Sequence, residues 1–113
     1  MSQITTHILD TSLGKPAKDV AIILEQSDNK GGWIQLGNGK TNSDGRLPNL
    51  LPVELKLEDG IYRLTFETGL YYKNLNIKGF YPYINITFEI FDGSHYHVPL
   101  LLNPYGYSTY RGS

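Results

Sequence analysis

Apolar residues at every second position are the feature that most restricts this chain. Val53, Leu55 and Leu57 alternate with Glu54, Lys56 and Glu58, and Tyr62, Leu64 and Phe66 alternate with Arg63, Thr65 and Glu67. Successive side chains of an extended strand point to opposite faces, so this period builds half-buried strands and not core-facing helices. Asp59-Gly60 separates these two runs, and Asp92-Gly93 separates Ile86–Phe91 from Tyr96–Leu102. Both dipeptides tolerate positive φ, which predicts two tight hairpins. Further strands are expected near residues 4–10, 20–26, 33–41 and 105–110. About eight short strands with frequent turn signals make an all-β antiparallel sandwich. Only Gly69–Lys78 carries helical spacing, with Leu70, Asn74 and Ile77 or Tyr71, Leu75 and Lys78 on one face. One short helix is expected there.

A chain of 113 residues fits one domain spanning 1–113, because burying roughly 65% of its extended surface yields a single modest core. Ten basic and eleven acidic residues leave a net charge of -1, no field for attracting a phosphate backbone or an anionic membrane. Nucleic acid and membranes are therefore not expected as partners. The absence of Cys removes disulfides, thiolate metal sites and a cysteine nucleophile. Met1 leads straight into Ile4-Thr5-Thr6-His7-Ile8 without a basic or apolar leader, and no apolar run approaches the ~18 residues of a membrane span. A cytoplasmic location is the expectation, and Arg111-Gly112-Ser113 does not match the peroxisomal address. The glycines at 31, 32, 37 and 39 precede no helix, so neither a phosphate-cradling loop nor a dinucleotide fingerprint is present, and no nucleophile elbow appears.

The segment before the C-terminus is unusual. Tyr96, Val98, Leu100 and Leu102 form one apolar face, but the opposite face of His95, His97, Pro99 and Leu101 is not a plainly solvated one. A second subunit covering it is a reasonable expectation. His95 and His97 share that face at a spacing suited to two zinc ligands. Catalytic zinc ordinarily takes three protein ligands, and no clear third accompanies them, so metal is not expected. His7 lies on a strand between Thr6 and Ile8 and by itself carries no assignment. Arg46 follows Ser43-Asp44-Gly45 at a turn; turned into a pocket, its planar charged fork suits a carbonyl oxygen or a urate-like anion.

Three separated segments resemble the 5-hydroxyisourate hydrolases of the transthyretin-related family. They are Ile4-Thr-Thr-His-Ile-Leu-Asp-Thr11 with Gly14-Lys-Pro-Ala17, then Thr41-Asn-Ser-Asp-Gly-Arg46, then His95-Tyr-His-Val-Pro-Leu-Leu-Leu102 through Tyr110-Arg-Gly-Ser113. The Tyr-Arg-Gly-Ser ending is the most specific, since it separates the hydrolases from the hormone-carrying transthyretins. Asn103, where Ser is usual, and Lys15, where Arg is common, depart from the pattern without touching residues assigned to chemistry.

The resemblance implies a transthyretin-like sandwich with one short helix, assembled as a homotetramer, a dimer of dimers with pockets at the dimer–dimer interface. It implies water-driven opening of the cyclic amide between N1 and C6 of 5-hydroxyisourate, giving 2-oxo-4-hydroxy-4-carboxy-5-ureidoimidazoline, with no cofactor and no metal. It places His7, Arg46, His97 and Ser113 in the catalytic group, and His7, Arg46 and Tyr110 against substrate; His95 is outside this set. The same fold also serves a non-catalytic carrier of small aromatic ligands, or a purely structural sandwich. Neither alternative needs His7, Arg46, His97 and the terminal motif together.

Overall fold

The computed structural model describes residues 2–113. Its strands are β1 (Ile4–Asp10), β2 (Lys15–Pro16), β3 (Ala21–Ser27), β4 (Trp33–Lys40), β5 (Gly60–Phe66), β6 (Ile84–Ile90), β7 (Tyr96–Asn103) and β8 (Gly106–Thr109). One helix, α1 (Thr68–Asn74), joins β5 to β6. Two four-stranded sheets, ordered β2-β1-β7-β8 and β4-β3-β5-β6, face one another. Their inner faces supply a core that includes Ile4, Ile8, Ile22, Leu24, Leu64 and Leu100, each fully buried. Each such side chain contributes about 1.5–3 kcal/mol through burial. The eight strands, two sheets and short helix agree with the expected fold class.

Both expected hairpins are corrected. Residues 53–58 form no strand, because β5 is already flanked by β3 and β6 and offers no free edge. Val53 and Leu55 point to solvent, at 62% and 40% exposure. The backbone N–H groups of Leu55 and Leu57 instead bond to the Pro52 carbonyl and to Oε1 of Gln3. Asp92-Gly93 is likewise not a hairpin tip: it carries the chain from β6 in one sheet to β7 in the other. The Asp92 carboxylate accepts from the Ser94 N–H and from the Tyr96 hydroxyl, a local turn that lets Ile90 and Tyr96 both enter the core.

The sheets are antiparallel with one exception. β1 runs parallel to β7, pairing Thr5 with His97 and His7 with Pro99. The helix is shorter than expected and buries Thr68, Tyr71 and Tyr72. The Tyr71 hydroxyl donates to the buried Asp10 carboxylate at 2.9 Å. Asp10 also accepts from the Ser12 and Leu13 N–H groups, so one carboxylate ties the end of β1 to α1. These bonds supply the partners that a buried carboxylate requires.

Candidate functional site

Alternation along β1 buries Ile4, Thr6, Ile8 and Asp10 and turns Thr5, His7 and Leu9 to the outer face. On β7 the inward residues are Tyr96, Val98, Leu100 and Leu102, so His97 and Leu101 look outward with them, both half-buried. The parallel register sets Thr5 directly beside His97. The Thr5 hydroxyl lies 2.8 Å from His97 Nδ1 and 2.9 Å from His95 Nε2. Pro99, expected on an interface between chains, is already buried within the single chain.

Arg46 reaches this face because the 41–47 loop is tightly tied. Asn42 Oδ1 accepts from the Asp44 and Arg46 N–H groups, and the Asn42 N–H donates to the Arg46 carbonyl. Gly45 adopts φ +73°, and a Cβ there would stand 2.5 Å from the Ile8 carbonyl oxygen. Only glycine therefore lets the loop lie against β1. The Ile8 N–H then donates to the Gly45 carbonyl at 2.8 Å, and His7 and Arg46 pair as an isolated bridge.

The last residues return across the same face. The Gly112 N–H donates to the His97 carbonyl at 2.8 Å, and a Cβ on Gly112 would meet His97 Cδ2 at 2.6 Å. Arg111 holds the segment in place: its guanidinium donates to Ser94 Oγ and to the His95 carbonyl, and lies 4.1 Å from the centre of the Tyr96 ring. Cation–π attraction and two charge-assisted hydrogen bonds outweigh the ordinary tendency of such a segment to fray.

A cleft of about 490 Å³ results, lined by Thr5, Thr6, Arg46, Leu47, Pro48, His95, His97, Tyr110, Gly112 and Ser113. Four of the five residues expected from the sequence, Arg46, His97, Tyr110 and Ser113, converge there. His7 does not line it; it flanks the cleft through its backbone pairing with Arg46. Thr5 and His95 belong to the cleft without having been given a role from the sequence, and Gly112 enters it as part of the terminal motif. Thr5 sits two residues before His7 on one strand face, a usable signal, but its neighbour His97 depends on a pairing that no local pattern announces.

His7 and His97 titrate below the usual histidine value. Burial is the main cause for each; the Arg46 guanidinium adds to it at both, and at His97 the other two histidines add further. At neutral pH both imidazoles are therefore predominantly uncharged, able to accept a proton. Among the described residues no three His, Cys, Asp or Glu side chains gather to hold a metal ion. Also among them, no helix is long and apolar enough to cross a membrane.

Comparison with known proteins adds a second line of observation. The model of the HIUase/Transthyretin family matches residues 4–112. The chain is 48% identical over 111 residues to the 5-hydroxyisourate hydrolase of Salmonella typhimurium, covering 97% of this chain and 80% of that protein. The structure of Klebsiella pneumoniae 5-hydroxyisourate hydrolase superposes with a TM-score of 0.83 at 37% identity, covering 100% of this chain and 94% of that one. Sea bream transthyretin in complex with thyroxine superposes with a TM-score of 0.91 at 32% identity, over 97% and 94% of the two chains.

Proposed function

The chain belongs to the HIUase/Transthyretin family, and from that premise we propose that it hydrolyses 5-hydroxyisourate at the N1–C6 amide bond. The observation that carries this reading is the convergence of Arg46, His97, Tyr110 and Ser113 on one cleft from separate segments of the chain. Fold similarity alone does not discriminate, since a thyroxine-binding relative superposes as well as a hydrolase. A carrier has no use for an uncharged imidazole beside a guanidinium.

Water is the nucleophile. His97 accepts a proton from it as the new oxygen–C6 bond forms, and that proton passes to N1 as the C6–N1 bond breaks. His7, flanking the cleft, shares the task of positioning the water and returning the proton. Arg46 binds the substrate oxygens and offsets the negative charge that develops in the tetrahedral transition state. Tyr110 and Ser113 fix the ring and the water. The direct test generates 5-hydroxyisourate with urate oxidase and follows its ultraviolet decay. Accelerated decay in the presence of the protein is expected; an unchanged rate would refute the activity.

Arg46→Lys separates charge from shape, because Lys keeps the charge but loses the planar pair of donors. A loss of about tenfold or more in kcat/KM is expected. Wild-type saturation kinetics for Arg46→Lys would leave charge alone as the role of this residue.

The cleft opens on a face where His97 and Leu101 are only half-buried, and Arg46 and Tyr110 are exposed. A homotetramer, built as a dimer of dimers that closes this face, agrees with that exposure. Light scattering is expected to return a four-chain mass. A fully active monomer would contradict it.

A further inference from the structure

The hydroxyl of Thr5 stands between two imidazoles. It is 2.8 Å from His97 Nδ1 and 2.9 Å from His95 Nε2, and the two rings lie 6.4 Å apart with planes within 20°. From this geometry we infer that His95 is a positioning residue: acting through the Thr5 hydroxyl, it fixes which ring nitrogen of His97 carries the proton. The inference deepens the hydrolase reading given above and rests on it for its catalytic consequence.

A hydroxyl has one proton to donate and lone pairs to accept with. Between two imidazoles that each hold a single ring proton, it donates to one nitrogen and accepts from the other, so the chain of three groups then has only two polarities. In the first, His97 Nδ1–H donates to Thr5, and Thr5 donates to His95 Nε2. His97 Nε2 then keeps its lone pair and is ready to take a proton from water. In the second polarity every bond is reversed, and His97 Nε2 carries the proton and cannot act as a base.

Charge on the cleft favours the first polarity. Arg46 lines the same cleft, so the proton of an uncharged His97 is better placed on the nitrogen tied to Thr5 than on the free one. His95 supplies the acceptor that this polarity needs. With that acceptor gone, the Thr5 proton turns to the nearest remaining acceptor, His97 Nδ1, and the catalytic ring is driven to the unproductive tautomer. Arg46 from the 41–47 loop, His7 from β1 and His95 beside β7 are the ionisable neighbours that act on His97. Arg111 holds the His95 main chain in register. His95 thus acts through another residue and not on substrate.

The test pairs ¹⁵N NMR of the histidine rings with kinetics. In the free wild-type protein, uncharged His97 is expected to show the Nδ1–H tautomer. His95→Phe, which keeps a flat ring without an acceptor, is expected to shift His97 toward Nε2–H. It should also lower kcat by about tenfold, a fraction of the full general-base contribution, with KM nearly unchanged. His95→Gln, whose amide oxygen accepts a hydrogen bond, should restore most of kcat, and Thr5→Ser, which keeps the hydroxyl, should keep the Nδ1–H tautomer of His97. Thr5→Val should lose the tautomer preference, and adding His95→Phe to it should cost nothing more. An unchanged His97 tautomer in His95→Phe, or additive losses in the double variant, would overturn the inference. A tautomer shift in His95→Phe, together with no hydrolysis by the wild-type protein, would overturn the functional reading and leave the role of His95 standing.

Discussion

Replacing His97 by Ala is expected to lower the turnover of 5-hydroxyisourate by about 10²-fold or more while leaving the chain folded, because a positioned general base contributes at least that much. The side chain is half-buried on the outer face and makes no core contact whose loss would unfold the sandwich. His7→Ala is expected to fall by the same order, though it flanks the cleft and acts beside Arg46. The pH profile distinguishes loss of a base from loss of shape. Burial and the Arg46 charge lower the His97 pKa below 6.5, so uncharged imidazole persists on the acid side of that value. Wild-type kcat/KM should stay level from neutral pH downward and decline only as pH drops through the lowered pKa. In His97→Ala the part of that decline due to His97 should be lost, leaving in the residual activity only the part due to His7, which is lowered in the same direction. Near-wild-type turnover by either folded variant would remove that histidine from the chemistry.

Deleting Tyr110-Arg111-Gly112-Ser113 should remove most of the activity and leave the sandwich folded. Terminal segments are ordinarily dispensable, but here Tyr110, Gly112 and Ser113 line the cleft. Few buried contacts go with them, since Tyr110 is 59% exposed. The Gly112–His97 backbone bond and the Arg111 contacts are each worth about 0.5–1.5 kcal/mol, so the thermal midpoint should fall by roughly 5–15 °C with the cooperative transition retained. A bulky group appended after Ser113 should crowd the cleft and act in the same direction more weakly. A deletion variant with the wild-type rate would exclude Tyr110 and Ser113 from the site and weaken the hydrolase reading at its most specific motif.

The legible parts of the fold are those in which one strand carries its own signal. The alternation of Tyr62, Leu64 and Phe66 lies within β5, the strand expected near 4–10 is β1, and β7 and β8 lie within a few residues of expectation. The segment 53–58 has equally good alternation but no strand, because alternation reports a preference and does not supply an unpaired edge to join. Asp-Gly coincides with bends at 59 and 92, but a bend signal says neither that a strand precedes it nor that the next strand stays in the same sheet. Arg46, His97, Tyr110 and Ser113 were found through their resemblance to a family, and the structure brings all four to one cleft. No local signal ties Thr5 to His97, because their link spans 92 residues and a parallel pairing, and His95, set outside the site by the sequence, reaches His97 only through that same hydroxyl.

That long-range parallel pairing also governs when the cleft can exist during synthesis. The β4-β3-β5-β6 sheet is complete once Ile90 has been made, and its pairings are antiparallel and comparatively local. β1 is made first but waits for β7, a sequence separation of 92 residues at Thr5 and His97. At about 5–20 residues per second the wait is on the order of 5–20 seconds. During it β1 has only the short β2 beside it, and the apolar Ile4 and Ile8 lack the β7 pairing and a finished core, an interval of exposure to aggregation and to chaperones. The cleft closes only after Gly112 has crossed His97, so recovered activity in a refolding experiment reports the final step of assembly and should lag behind the recovery of strand structure.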